Sequence, residues 1–580
     1  LENISYKRIV DGRLKSLGVF VILLCGGLIW RMTDLQVFKH TEYLAEAKGQ
    51  QRYEKTEIAQ RGRILVKDTG DSGETYYPLA FDVQQYSLWV VPQQVKDKEK
   101  TAEKLAGVSG MAEKDIFAKI NNDKLYIPAL KKGFSYDDAQ KIENQDIAGV
   151  FVMPEYSRYY PESTLAAQIL GFVNNEGNGN YGIEGHYNDE LQGKEGNVVG
   201  EKDTLGRVIS LLNQTDPQNG TDYVLTIDRS VQYFTEQKLV EALPKYGAVS
   251  GTIIVEDIKT GGIIAMASTP TFDPNNYKTQ AAMDQSVFMN PAISSVYEPG
   301  SIFKPIVMSA ALDSGAVTPQ TQNTFGASVD VDGFTIHTAE DKAFGLETMS
   351  NILEHSDNVG MVWVGQQMGN DNFLKYLNAY QLNQKTGVDL QGETVGTFPA
   401  KKNWRNITNA TLTFGQGISV TPLELLTAYA TIGNGGKYIY PHLVDKMIYN
   451  DGTEKQIEKQ EGTQVTKPET ASEIEQMLYN TVLYGTSKKA AVPGFKVGVK
   501  TGTAQISDPA TGGYLTNDSK LGIYNHSAAG MAPIDNPRFA MLVKLEKPTS
   551  SKYAESTAVP LWHDIADFLL NHYYRLTPTP

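Results

Sequence analysis

The chain has 580 residues, with 53 Lys and Arg against 67 Asp and Glu, for a formal net charge of -14. That length exceeds one hydrophobic core and suggests three or four units of roughly 100–200 residues, and the acidic balance argues against a nucleic-acid partner, which selects for clustered Lys and Arg. A single cysteine, Cys25, and eight scattered histidines leave no intramolecular disulfide, no thiolate metal site and no i, i+4 imidazole pair, so neither a metal nor a cofactor is expected.

Leu17–Trp30 is an uncharged run (LGVFVILLCGGLIW) with Lys7, Arg8, Arg13 and Lys15 before it and Arg31 after it. It predicts a single membrane-spanning helix over 17–33, with residues 1–16 cytoplasmic by the positive-inside rule and the rest extracytoplasmic. The run is shorter than the roughly 20 residues a spanning helix prefers, and snorkelling by Lys15 and Arg31 closes the gap. A cleaved signal peptide is the competing reading. Bulky Trp30-Arg31-Met32 stands where a small-x-small cleavage site would be needed, which favours an uncleaved anchor.

Asp34–Gln50 predicts a helix leaving the membrane, breaking at Gln60-Arg61-Gly62-Arg63. Short alternating stretches such as Tyr86-Ser87-Leu88-Trp89-Val90-Val91 predict strands, followed by charged helices around 96–120 and 135–146. Residues 34–220 therefore read as a non-catalytic α+β pedestal, closed by the turn-rich Gln214–Gly220. From 221 to 580 the chain reads as a second α+β domain. It opens with the strand Tyr223–Ile227 and a hairpin, Gly251–Ser268, whose turn is Lys259-Thr260-Gly261-Gly262. Residues 451–470 predict a polar loop or peripheral hairpin.

Three short patterns follow one another: Ser301-Ile302-Phe303-Lys304, Ser356-Asp357-Asn358 and Lys500-Thr501-Gly502-Thr503. Ser-x-x-Lys occurs once, but Lys-Thr-Gly occurs at Lys259, Lys385 and Lys500, and context must separate them. Lys259 sits in a hairpin turn and Lys385 in a loop, whereas Lys500 continues the strand-like Phe495–Val499 toward an extended edge. A serine hydroxyl becomes nucleophilic when a neighbouring base takes its proton. Lysine three residues on lies one helical turn away if Pro299-Gly300 ends a loop and Ser301 starts a helix. Lys304 then needs a lowered pKa, which burial or the Lys500 cation supplies. Ser356 is placed to relay a proton and Asn358 to hold a substrate amide and Lys304. The same residue types also suit a helix N-cap or turn, and the base is either Lys304 or a Ser356–Lys500 relay.

This ordered set resembles the penicillin-binding protein and serine β-lactamase superfamily. Asn290–Pro305 around Ser301, Thr413–Glu424 with its Gly-Gln-Gly, and Ala529–Pro533 narrow the resemblance to the class B penicillin-binding proteins. Arg61-Gly62-Arg63-Ile64 and Gly182-Ile183-Glu184 look like pedestal motifs of that family. The resemblance implies a transpeptidase domain, an antiparallel sheet with flanking helices, after the α+β pedestal and the single transmembrane helix. It implies that Ser301 attacks the penultimate D-Ala carbonyl of a peptidoglycan stem peptide, D-Ala leaves, and an amine of a second stem takes the acyl group. The amides of Ser301 and Thr503 would form the oxyanion hole, and Lys500, Thr501, Gly502 and Thr503 would bind the terminal carboxylate. β-Lactams would acylate Ser301, and a polytopic glycosyltransferase partner would supply polymerisation. Two departures stand out. Asp357 occupies the middle of a motif that is commonly Ser-Ser-Asn, and an acidic, Gly-rich stretch, TGDSGET, replaces the usual turn after Arg61-Gly62.

Two rival readings are weaker. A β-lactamase would be a compact secreted domain with a carboxylate to activate the deacylating water, and no such carboxylate is identifiable. A β-lactam sensor would need a larger cytoplasmic output, and a silent scaffold would be expected to lack one of Ser301, Lys304 and Lys500.

Overall fold

A computed structural model describes residues 2–70, 73–125, 127–203, 208–458, 460–508, 513–516 and 523–578. Asp71 and Ser72, the centre of the acidic Gly-rich turn, and the side chains of Lys7 and Arg8 lie outside the described residues. Two compact units are present: residues 1–59 with 194–218, and residues 60–193 with 219–580.

In the first unit one helix runs from Glu2 to Thr33, longer at its N-terminal end than the apolar run, because the stretch contains no proline to stop it. With the turn that follows it, the helical stretch Asp11–Phe38 is long and apolar enough to cross a membrane, with a mean hydropathy of 1.8 in an 18-residue window that has no buried residues. A π-helical turn, Asp34–Phe38, carries the Arg31–Asp34 ion pair at 2.8 Å and leads to a helix over His40–Gln51. The chain turns into strand Arg52–Glu57 well before the expected break at Gln60. The reason is pairing: this strand lies antiparallel to Gly196–Lys202, which in turn pairs with Val208–Thr215.

The second unit contains two large sheets. In the first, strands Asp222–Asp228, Ile64–Gly70 and Gly73–Val90 lie side by side, and Gly73–Val90 also pairs with Lys131–Phe134 and Val150–Tyr159. Helices Lys98–Ser109, Glu113–Ile120 and Tyr136–Glu143 cover its far end, burying Leu105, Ile116, Ile120 and Ile142 against Leu88 and Val90. Their limits are local. Asp97 caps the first helix by accepting from Lys100 N at 3.0 Å, and Gly110 ends it at φ 66.

The second sheet is antiparallel and five-stranded, in the order Ile263–Thr269, Ser250–Asp257, Phe539–Glu546, Tyr524–Ala532, Gly498–Gln505. Its strands are apolar on both sides because both faces are covered. On one face Val255, Val499, Met541 and Val543 join Trp562 of helix Ala558–Phe568 in one core. On the other, Ile254, Ala529 and Leu542 join Leu423 and Leu426 in a second. Every residue of helix Pro422–Gly433 is buried, including Glu424, whose carboxylate accepts from Thr421 N and Gly396 N. Lys259 stands in the hairpin turn and Lys385 in a loop, whereas Lys500 lies on the edge strand.

The two pedestal motifs, 123 residues apart, meet. Arg61 Nε lies 2.6 Å from Glu184 Oε2, and Arg158 Nε lies 2.6 Å from Glu184 Oε1. All three side chains are buried. Burial alone would raise the Glu184 pKa, but Arg158 and Arg61 together bring it below the usual carboxylate value.

Candidate active site

Ser301 lies on a short turn, Gly300–Phe303, that runs into helix Lys304–Asp313. The turn is fixed from two sides by glycines. Gly300 has φ +60, and its N–H donates to Gly415 O at 3.0 Å. A Cβ on Gly415 would stand 2.2 Å from Gly300 O, and one on Gly300 would stand 2.9 Å from Ala504 Cβ of the edge strand. Gly502 is constrained likewise: a Cβ there would meet Ser527 Oγ at 2.5 Å and Ile302 Cγ2 at 3.0 Å. The Gly-Gln-Gly segment, the nucleophile turn and the edge strand can therefore approach backbone to backbone only because these positions lack side chains. Tyr429 Oη, donating to Ile302 O at 2.6 Å, ties the turn to the buried helix Pro422–Gly433.

Lys304 is fully buried. Its Nζ donates to Ser356 O at 2.6 Å, to Asn358 Oδ1 at 2.8 Å and to Ser356 Oγ at 3.3 Å. Burial lowers its pKa to about 7, with Asp357 and, when ionised, Glu347 acting in the opposite direction. Lys500, also fully buried, donates to the same Ser356 Oγ at 2.9 Å and to Thr501 O at 3.1 Å. Burial and the nearby Lys304 cation drive its pKa well below the ordinary lysine value. Ser301 is half-buried, and among the described residues its hydroxyl makes no hydrogen bond, which leaves it available to a ligand.

In the middle motif the helix cap and the contacts to the lysines fall to different residues. Ser356 adopts the left-handed conformation, φ 57 and ψ 39, at the end of helix Met349–His355. Asp357 is the N-cap of helix Asn358–Ala379, accepting from Val359 N at 2.8 Å and Gly360 N at 2.9 Å. The sharp reversal between the two helices presents Ser356 and Asn358 to the lysines. Asn358 Nδ2 also donates to His337 O at 2.9 Å. Aspartate at the middle position is thus a helix cap with both oxygens occupied.

On the edge strand, Thr501 Oγ1 lies 2.9 Å from Thr486 Oγ1, and Thr503 Oγ1 accepts from Ala554 N at 3.2 Å. Sequence reasoning did not find Thr486, nor Glu347 and His355 behind the middle motif. Thr486 follows helix Pro468–Leu483 and carries no motif of its own; only the fold brings it to Thr501. Among the described residues there is no group of acidic, His or Cys side chains arranged to hold a metal ion.

Two buried lysines that share the Ser356 hydroxyl, one of them on the edge of a five-stranded sheet, agree with the similarity in sequence to known proteins. Residues 251–567 match the penicillin binding protein transpeptidase domain, and residues 56–225 the penicillin-binding protein dimerisation domain. The chain belongs to the penicillin-binding proteins, with the class B arrangement of a dimerisation domain ahead of a transpeptidase domain. It is similar to stage V sporulation protein D of Bacillus subtilis, 32% identical over 87% of this chain and 76% of that one. It is also similar to the peptidoglycan D,D-transpeptidase FtsI of Escherichia coli K12, 30% identical over 95% of this chain and 90% of that one. Among solved structures, penicillin-binding protein 3 of Mycobacterium tuberculosis in complex with aztreonam superposes with a TM-score of 0.70 at 26% identity, covering 91% of this chain and 98% of the other.

Proposed function

We propose that this chain is a peptidoglycan D,D-transpeptidase of bacterial cell-wall synthesis that works through an acyl-enzyme on Ser301. The observation that supports it most is the Ser356 hydroxyl standing between Nζ of Lys304, which lies one helical turn on from Ser301, and Nζ of Lys500. Lys304, held as a free amine by burial, takes the Ser301 proton as Oγ bonds to the penultimate D-Ala carbonyl carbon. The amides of Ser301 and Thr503 receive the oxyanion. The C–N bond then breaks, and the departing D-Ala nitrogen takes its proton from the Ser356 hydroxyl, which Lys304 or Lys500 reloads. An amine of a second stem peptide attacks the ester and releases Ser301. Lys500, Thr501 and Thr503 take the donor's terminal carboxylate, with Gly502 allowing close approach and Asn358 holding the donor's amide.

β-Lactams mimic the donor and acylate Ser301; the similarity to a penicillin-binding protein solved with aztreonam supports this part of the reading. The helix Asp11–Phe38 serves as a single-pass anchor in the cell membrane with the N-terminus inside, supported by Arg13 and Lys15 on that side. Glycan polymerisation comes from a polytopic glycosyltransferase partner, as the class B resemblance implies.

The test is covalent labelling of the full chain in detergent with a fluorescent penicillin, followed by intact mass and peptide mapping, beside a Ser301→Ala control. A single long-lived adduct on Ser301, absent from the control, is expected. Rapid loss of the adduct would point to a β-lactamase, and no adduct to a silent scaffold.

A further inference from the structure

Behind Lys304 lies a second buried polar cluster that the reaction scheme above leaves unused. Glu347, 1% exposed, belongs to strand Gly345–Thr348. Its Oε1 lies 2.6 Å from Nδ1 of the half-exposed His355, whose ring stacks on Phe344 with centroids 4.6 Å apart and planes at 6°. Its Oε2 is buried and, if Glu347 is a carboxylate, has no hydrogen-bond donor among the described residues. Yet that side chain is in hydrogen-bond contact with the carboxyl of Asp357. Asp357 is fully buried and both of its oxygens already accept helix N–H groups. The Asp357 carboxyl, with both oxygens accepting, offers Glu347 only acceptors, and a carboxylate set against them in a dry site is strongly disfavoured. One proton on Glu347 Oε2 removes the conflict and gives both Glu347 oxygens a partner: His355 Nδ1–H donates to Oε1, and Oε2–H donates to Asp357.

We propose that Glu347 is a neutral carboxylic acid, bridging His355 and Asp357, and that as a positioning residue it keeps Lys304 a free amine. The second half rests on the reading of Lys304 as the base. The charged and titratable groups facing this cluster are Lys304, with Lys500 beyond it, Asp357, Glu354 and His355. With Glu347 neutral, Asp357 is the one anion facing the lysines from this pair. If Glu347 ionises, a second anion draws a proton back onto Lys304 and the base is lost. Burial and the Asp357 neighbour both raise the Glu347 pKa, which agrees with the geometry.

The experiment uses the full chain in detergent. An infrared difference between wild type and Glu347→Gln at neutral pH is expected to show a carboxylic-acid carbonyl stretch that the variant lacks. Its absence from wild type overturns the proposal. Penicillin acylation is then followed against pH. Glu347→Ala is expected to lose acylation and Glu347→Gln to restore it, because glutamine can donate to Asp357 and accept from His355 but cannot ionise. The alkaline limb of Glu347→Gln is expected to lie about one pH unit or more above that of wild type. Superimposable profiles, or a glutamine variant as poor as the alanine one, overturn the positioning role. A Lys304→Ala protein that still acylates at the wild-type rate would sink the base assignment while leaving the infrared band, and with it the proton on Glu347, intact.

Discussion

Lys500 Nζ lies 2.9 Å from Ser356 Oγ, a contact that joins the sheet edge to the loop between two helices. Lys304 reaches the same hydroxyl at 3.3 Å, so Ser356 Oγ is the contact the two lysines share, and the proposed proton path runs through it. Ser356→Ala is expected to slow penicillin acylation by about 100- to 10,000-fold, the usual contribution of a positioned acid or base. The thermal midpoint should change little, since the left-handed turn depends on the backbone and not on the hydroxyl. Stopped-flow acylation with calorimetry alongside checks both parts, and an unchanged rate would remove Ser356 from the path.

Acylation should also report the state of Lys304. Its pKa is lowered to about 7, first by burial, so the free amine is the minor form below that pH and the major form above it. The second-order acylation rate should therefore rise with pH through about 7, ahead of the alkaline limb assigned above to ionisation of Glu347. Lys304→Arg, charged at every accessible pH, should acylate too slowly to give such a rise. A wild-type rate that is flat from acid to neutral pH would contradict this assignment.

The Arg61–Glu184–Arg158 cluster is predicted to be structural. Removing one partner of a buried ion pair costs about 3–5 kcal/mol, because it strands the opposite charge. Glu184→Ala should lower the stability of the second unit by that order, read from denaturant or thermal unfolding. The folded pKa of Glu184 is depressed, so its stabilisation is present above the unfolded carboxylate value and is lost as pH falls through the folded one. The gap between variant and wild type should accordingly narrow in acid.

Glu256 presents the opposite sign. It is fully buried in the strand Ser250–Asp257, and burial, then Asp257, pushes its pKa well above the usual carboxylate value, with the Thr427 hydroxyl a partial offset. The folded state then holds a proton that the unfolded state releases, so stability falls as pH rises from the unfolded pKa toward the folded one. Glu256→Gln keeps the shape and removes the titration. Its melting temperature should exceed that of wild type at neutral pH, with the advantage fading in acid. A variant less stable than wild type at neutral pH would show that Glu256 has an anionic role.

Much of the site was legible from short stretches of sequence. Ser301 and Lys304 are one turn apart, so their proximity follows from helix geometry alone. Lys259 and Lys385 could be set aside because turn and loop residues surround them. The strand character around Gly498-Val499 and the apolar N-terminal run are likewise local, since each depends on neighbours within a few residues. What the residue types left open in Ser356-Asp357-Asn358, a cap or a catalytic element, is resolved by division of labour, with Asp357 capping while Ser356 and Asn358 face the lysines.

Local pattern carries no record of partners across long stretches of chain. That Lys500 meets Ser356 depends on where the edge strand sits against its neighbour Tyr524–Ala532, and a one-residue slip would turn Lys500 to the other face. The closeness of Gly300 and Gly415, the convergence of Arg61, Arg158 and Glu184, and the contact of Glu347 with Asp357 have the same origin. In each case a buried charge or a bare backbone is tolerable only because a distant residue compensates it. The amino-acid order determined which groups were available for chemistry; the packed sheet and helices decided which of them meet, because desolvation and long-range register exist only in the folded chain.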